Sequence, residues 1–141
     1  MIKEVKIKIR GQQWGEDMDP ATVVTEENGE YYYKNRSHYL LYEEYMEESS
    51  KPSKTRIKWN ENKLELVRQG LVDTHMIFEE KKTHMTDYVT PYGRLILGIN
   101  TGKLTVEETE EEISILVEYQ LELEGEKLSG HKLEMWIKPA I

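Results

Sequence analysis

Apolar and polar residues alternate with a period of two through most of this chain. The alternation is clearest near the end, where it runs from 113 to 123 and resumes from 133 to 137 after a turn at Gly125-Glu126-Lys127. Residues 5–9 show the same pattern. Successive side chains of a β-strand point to opposite faces, so these segments are predicted to be strands with one buried and one solvent-exposed face.

Turn-forming residues divide the rest of the chain into further short strands. We predict strands at 21–26, 31–33, 37–46, 54–60, 63–69, 72–80, 83–90, 94–100 and 104–107. Asn28-Gly29 predicts a β-hairpin because both residue types tolerate positive φ. Thr101-Gly102 predicts another turn. Residues 11–20 lack periodicity and predict a loop that folds Trp14 back, and the acidic run at 107–112 predicts a solvated hairpin tip.

These segments, with short turns and no helical crossovers between them, indicate an antiparallel all-β fold. In a sandwich such long strands would leave exposed edges. The pattern therefore predicts a closed antiparallel up-and-down barrel of about 8–11 strands, with residues 1–141 forming a single domain.

Composition narrows the range of functions. The chain has 141 residues with 27 acidic and 19 basic side chains, and the net charge of −8 argues against a general phosphate-binding surface. Nucleic acid is therefore not an expected partner, although a local basic patch is compatible with the net charge.

No cysteine is present, which excludes disulfides and thiolate metal sites and fits a reducing compartment. The sequence has neither a signal-peptide pattern nor a run of about 18 apolar residues, so we expect a cytoplasmic protein without a membrane partner.

Catalytic and metal-binding motifs are absent from the sequence. It contains no nucleophile elbow, zinc-protease, P-loop or dinucleotide motif, so we predict no catalytic residue and no cofactor. His75 and His84 are predicted on neighbouring strands, but no third ligand stands at a clear spacing, so no metal site is predicted. His38 and His131 lie near predicted turns and are expected at the surface.

Arg68 is the main candidate for a functional residue. Strand alternation places it on the same face as Leu64 and Leu66, which are expected to point inward. A guanidinium is always charged, so inside a barrel it must meet a carboxylate, several carbonyls or an anionic ligand. Two interpretations stay open: an ion pair with a glutamate at the barrel rim, or an anchor for a ligand.

Other side chains could line a cavity together with Arg68. Tyrosine suits such a wall because it buries a ring while its hydroxyl seeks a partner. Ordinary strand packing is the alternative for every member of this group. The further candidate ligand-binding residues are Tyr31, Tyr33, Met76, Phe78, Tyr88, Thr90 and Tyr92.

Several segments, in their order and spacing, resemble the YwiB-like family of uncharacterised bacterial β-barrel proteins. They are Gly29-Glu30-Tyr31-Tyr32-Tyr33-Lys34, Tyr39-Leu40-Leu41-Tyr42-Glu43-Glu44, Thr55-Arg56-Ile57-Lys58, Arg68-Gln69-Gly70, Met76-Ile77-Phe78 and Tyr88-Val89-Thr90-Pro91-Tyr92-Gly93. The resemblance implies a calycin-like, lipocalin-like closed barrel in a cytoplasmic bacterial protein, and it implies no activity. Two departures stand out: residues 79–82 replace a glycine-containing turn, and Gly11 and Trp14 are one residue too far apart for the lipocalin signature.

Three functional hypotheses follow. The leading one is a binding module that takes a small, partly apolar ligand, anionic ligands included, in the lumen or mouth of the barrel with Arg68 as anchor. The second is an interaction or assembly module, monomeric or homodimeric, that uses the tyrosine-rich surface at 31–45. An enzyme acting in the lumen is the least supported, because it would need a carboxylate or histidine within hydrogen-bond reach of Arg68 or of a tyrosine hydroxyl.

Overall fold

Ten antiparallel strands form one sheet in the computed structural model, which describes residues 3–16, 18–44, 52–70, 73–91 and 93–140. The strands are β1 (Lys3–Gly15), β2 (Met18–Lys34), β3 (Ser37–Glu44), β4 (Ser53–Trp59), β5 (Lys63–Gln69), β6 (Thr74–Glu79), β7 (Lys82–Thr90), β8 (Gly93–Glu108), β9 (Ile113–Leu123) and β10 (Glu126–Pro139). Within the described part of the chain, no helix is long and apolar enough to cross a membrane.

The strand order produces a nearly closed barrel. The hydrogen-bonded order is β6-β5-β4-β3-β2-β1-β10-β9-β8-β7, so the first and last strands pair with each other and β6 and β7 stand at the ends of the order. Asp73, just before β6, forms an isolated antiparallel bridge with Val89 of β7. The Thr86 hydroxyl also donates to the His75 carbonyl. This arrangement confirms the predicted all-β up-and-down barrel.

Side chains fill the inner face of the barrel. Residues directly opposite each other on paired strands share a face, and Ile7, which is buried, lies opposite Ile137. The largest fully buried side chains are Trp59, Phe78, Ile7, Leu40, Ile57, Leu64, Ile99, Ile115 and Met135. The central part of the barrel is therefore a packed hydrophobic core.

The predicted hairpin at Asn28-Gly29 is wrong, because β2 continues through this position to Lys34. The turn lies at Asn35 and Arg36, which have φ values of 52° and 63° and so supply the two positive φ angles that a tight hairpin requires. Gly29 serves close packing instead. A Cβ atom there would lie only 2.6 Å from the Leu41 carbonyl oxygen.

The loop predicted at residues 11–20 is also wrong. β1 extends to Gly15 and β2 begins at Met18, so most of this segment is strand. Trp14 packs against Gly130 of β10, where an added Cβ would lie 2.4 Å from the indole Nε1. The pairing with β10 keeps the segment extended despite its irregular sequence.

The turn predicted at Thr101-Gly102 is a bulge instead. β8 runs without interruption from Gly93 to Glu108, and its register with β9 shifts between Thr101 and Lys103. An extra residue in one strand bends the strand without ending it. The turns predicted at 107–112 and 125–127 do separate strands. So do the breaks between the strands predicted at 54–60 and 63–69 and between those at 72–80 and 83–90.

The barrel has two ends that differ in character. The end with the β2–β3, β4–β5, β6–β7 and β8–β9 turns is called the Trp59 end. The opposite end, where β3 and β5 finish, is called the Arg68 end. Tyr45 and Met46, which belong to the strand predicted at 37–46, lie outside the described residues.

Candidate binding site at the Arg68 end

Arg68 lies on the inner face of the barrel, after Leu64 and Leu66, which are both buried. In the strand register it stands opposite Thr55, and Thr55 stands opposite Tyr42. Opposite residues share a face, so the three side chains form one row across β3, β4 and β5.

The contacts of Arg68 are polar and loosely arranged. Its Nε donates to Thr55 Oγ1 at 3.2 Å. Its Nη2 lies 3.7 Å from Glu44 Oε1, and 37% of its side chain is exposed. That separation exceeds the roughly 2.7–2.9 Å of a charge-assisted hydrogen bond. Arg68 thus sits at the rim with a glutamate beside it, and solvent can reach the guanidinium.

The charge of Arg68 also acts on two buried tyrosines. Burial raises the pKa of Tyr42 to about 12, and Glu44 adds to this effect. The charge of Arg68 and side-chain hydrogen bonds of Tyr42 with Arg68 and Thr55 oppose it. Burial likewise raises the pKa of Tyr119 to about 12, again with Arg68 acting in the opposite direction. Tyr119 belongs to β9, on another part of the barrel wall. The positive charge of Arg68 therefore acts on tyrosines of two separate strands.

A second carboxylate completes this polar group. Glu27 lies opposite Ile7 and so belongs to the inner face. Burial, and to a smaller extent the negative charge of Glu44, raises the pKa of Glu27. The Arg68 end thus combines one guanidinium with two carboxylates that repel each other.

Tyr31 and Tyr33 lie toward the Trp59 end. The Tyr31 hydroxyl is 2.6 Å from His38 Nδ1. Tyr33 stands opposite His38 and is 52% exposed. The row that contains Tyr33 also contains Leu64, four residues from Arg68, which corresponds to about 13 Å along the strand.

The other predicted residues are also spread along the barrel. Phe78 is fully buried and its ring centre lies 4.7 Å from that of Tyr119. Met76 packs against the core from a partly buried position. Tyr88 is half-buried opposite Leu95. The Thr90 side chain and Tyr92 lie outside what the structure describes. The eight predicted residues therefore do not surround one point.

The histidines occupy two kinds of position. His38 and His131, which were expected at the surface, are half-buried. His38 stacks on Trp59 and His131 stacks on Tyr119, with ring centres 5.1 Å and 4.9 Å apart. Burial lowers the pKa of both histidines.

His75 and His84 do not form a joint site. His75 Nε2 lies 2.9 Å from Glu65, and His84 Nε2 lies 3.0 Å from Glu79. Among the described residues, no group of three or more His, Asp or Glu side chains is arranged to hold a metal ion.

A protein-family model described as a domain of unknown function, DUF1934, matches residues 7–135. The chain belongs to this family. The DUF1934 chain is also similar to the ywiB protein from Bacillus subtilis, whose crystal structure superposes with a TM-score of 0.85 at 19% sequence identity. The match covers 99% of this chain and 94% of that one. At this identity the likeness establishes the fold. No curated protein matches.

Several residues of the Arg68 end in this DUF1934 protein were missed from the sequence. Thr55 alternates with the buried Ile57 and Trp59, so strand periodicity places it on the inner face, and the short β4–β5 hairpin then places it beside Arg68. Tyr119 carries the same alternation signal within β9. Its position near Arg68 depends on closure of the barrel, which cannot be predicted from the local sequence pattern of either strand.

Proposed function

We propose that this DUF1934 protein is a cytoplasmic binding protein whose Arg68 end takes a small, partly apolar, anionic ligand. The observation that carries the proposal is the position of Arg68. It lies on the inner face beside Thr55, and its ion pair with Glu44 is longer than a hydrogen bond. A ligand carboxylate or sulfonate at 2.7–2.9 Å would be a better partner for the guanidinium than Glu44 is.

The ligand would bind at the mouth, because the core occupies the middle of the barrel. Leu40, Ile57 and Ile115 are almost fully buried there. Toward the Arg68 end, the apolar side chains of Ile9, Leu121 and Leu133 are only partly buried. These apolar side chains would pack against the apolar part of the ligand while Arg68 holds its anionic group.

Arg56 provides a matched control for testing Arg68. It lies on the adjacent strand β4, but it points outward, is 49% exposed and has Glu65 at 3.8 Å. Arg68→Gln and Arg56→Gln remove the same charge from opposite faces. Anilinonaphthalene sulfonate, an apolar anion whose fluorescence rises on binding, serves as the probe.

We expect saturable binding of this probe to the wild-type protein. Affinity should fall about tenfold in Arg68→Gln and stay unchanged in Arg56→Gln, because a hydrogen bond to a charged group contributes about 1.5–3 kcal/mol. Equal affinities of the two variants would contradict the proposal. Native mass spectrometry of protein purified from its own host would then identify any ligand that is retained.

A second candidate function is protein interaction or assembly through the tyrosine-rich segment at 31–45. One observation favours it. The rings of Tyr32 and Tyr39 stack on the outer face with centres 4.7 Å apart, and Lys58 Nζ lies 5.6 Å from the Tyr39 ring centre. Aromatic side chains next to cations are typical of interface hot spots.

Light scattering over a range of protein concentrations tests this second function. If the protein assembles through this surface, Tyr32→Ser and Tyr39→Ser should weaken the assembly, so that the variants dissociate at higher protein concentrations than the wild type does. A wild-type protein that is monomeric at every concentration would contradict it.

A further inference from the structure

The outer face of β1 and β10 carries an unusual group of lysines. Lys6 and Lys138 stand directly opposite each other in the register of these two strands, and Lys8 stands opposite Trp136. Like charges placed directly opposite on a sheet reduce its stability. The chain has more acidic than basic residues and a net charge of −8, so an excess of lysines does not explain why Lys6 and Lys138 stand opposite each other.

Several other cationic side chains on the barrel have a carboxylate partner. Arg10 has Glu134 at 3.8 Å, Arg56 has Glu65 at 3.8 Å, and Lys82 has Glu79 at 3.1 Å. In the part of the chain that the structure describes, Lys6, Lys8 and Lys138 have no carboxylate oxygen within the 4.0 Å limit of an ion pair. These three ammonium groups are exposed. They are therefore available to an external anion.

The lysines surround a groove of about 660 Å³ on the outside of the barrel. Its size falls within the usual range of small-molecule sites, about 300–1,000 Å³. Trp136 contributes an aromatic ring to one wall, with Lys8 Nζ 5.7 Å from the ring centre. Three carboxylates, Glu26, Glu27 and Glu112, also line the groove and contribute hydrogen-bond acceptors, and Glu26 stands directly opposite Lys8.

We propose that this groove binds a small phosphorylated ligand with a planar ring and hydroxyl groups, the chemistry of a nucleotide. The phosphates lie between Lys6 and Lys138 and relieve the repulsion of the two ammonium groups. The planar ring packs on Trp136, and the hydroxyls donate to Glu26. The proposal concerns the outer face and does not depend on ligand binding at Arg68.

Isothermal titration calorimetry with ADP tests the proposal. Lys6→Gln/Lys138→Gln removes the central cations, and Lys34→Gln/Lys103→Gln is the control, since Lys34 and Lys103 are exposed and do not line the groove. All four positions are exposed, so the variants should fold. We expect saturable ADP binding to the wild type and at least about tenfold weaker binding to the first variant. The control should keep the wild-type affinity.

Pyrophosphate and Trp136→Leu test the ring contact. We expect pyrophosphate to bind more weakly than ADP, and Trp136→Leu to reduce ADP affinity toward that of pyrophosphate while leaving pyrophosphate affinity unchanged. Binding should also weaken with added salt, because the lysines are exposed. The proposal is overturned if the wild type shows no saturable ADP binding, if the control loses as much affinity as the groove variant, or if ADP and pyrophosphate bind equally.

Discussion

Stacked rings close the inner face at the Trp59 end, whereas a guanidinium and two carboxylates occupy it at the Arg68 end. Trp59 is 2% exposed and lies parallel to the His38 ring with an interplanar angle of 5°. Arg68 has 37% of its side chain exposed and its ion pair spans 3.7 Å. The side chains at the Trp59 end are packed as in a hydrophobic core, whereas those at the Arg68 end are polar and partly exposed to solvent although they lie on the inner face.

The difference follows from what each kind of side chain can do when it is buried. His38 can lose its charge, and burial lowers its pKa accordingly. A guanidinium stays charged at any ordinary pH and has to remain solvated or paired. The Trp59 end can therefore exclude water, whereas the Arg68 end has to stay accessible to water or to a ligand. This contrast is the reason for placing the proposed ligand at the Arg68 end.

The largest expected effect is the loss of stability when the packing at the Trp59 end is disrupted. Trp59→Ala should lower the free energy of unfolding by about 3–5 kcal/mol, because it removes a large, almost fully buried ring from the core. Urea unfolding followed by circular dichroism measures the change. Trp14→Ala, at a position that is 42% exposed, should cost clearly less. Equal losses for the two variants would show that the Trp59 end is not packed as a core.

The next effect is a pH dependence that arises at His38. Its folded-state pKa lies below the ordinary value of 6.5, so the unfolded chain takes up a proton before the folded chain does. Stability should therefore fall as the pH drops from 6.5 through the folded-state pKa, by about 1 kcal/mol or less for this half-buried group.

Urea unfolding at several pH values tests the assignment to His38. His38→Phe should flatten the acid loss of stability while keeping a ring against Trp59. His75→Gln, at an exposed position, should leave the loss in place. An unchanged pH profile in His38→Phe would assign the effect to other groups, among them His131.

Strand alternation correctly predicted the buried faces of β1, β5, β9 and β10. The turn signals failed where pairing between strands overrides local composition. Asn28-Gly29 has the composition of a turn, but β2 pairs with β1 along most of its length and begins pairing with β3 at Gly29. The ladder on both sides keeps the chain extended there. The glycine is explained by the nearby Leu41 backbone and Ile7 side chain, which leave no room for a Cβ.

The candidate site was predictable only in part for a similar reason. The face of Arg68 follows from its spacing to Leu64 and Leu66 within one strand. Its partner Thr55 follows from the register of a neighbouring hairpin. Glu27 and Tyr119 are distant in sequence, and they reach the same interior only because β1 pairs with β10 and the sheet curls into a barrel.

A smaller effect on stability is expected at Arg68 itself. Arg68→Met should change the free energy of unfolding by no more than about 1 kcal/mol, because a long, partly exposed ion pair contributes little. Urea unfolding measures this under the conditions used for Trp59→Ala. A loss of 3–5 kcal/mol would instead indicate a buried pair whose breaking leaves Glu44 uncompensated. The Arg68 end would then be structural and not a binding mouth.

The smallest expected effect is the pH dependence of stability that arises from Glu27 at the Arg68 end. Its sign is opposite to that of the effect from His38 at the Trp59 end. Burial and Glu44 raise the pKa of Glu27 above its ordinary value of 4.5, so the folded chain holds this proton to higher pH than the unfolded chain does. The resulting contribution to stability is present below pH 4.5 and is lost as the pH rises through the folded-state pKa, opposite in direction to the effect of His38. Glu27→Gln should therefore stabilise the protein at pH 7 by less than about 1 kcal/mol. Glu30→Gln, on the outer face of the same strand, should produce no comparable gain, and a destabilised Glu27→Gln would mean that this carboxylate is held by a favourable partner.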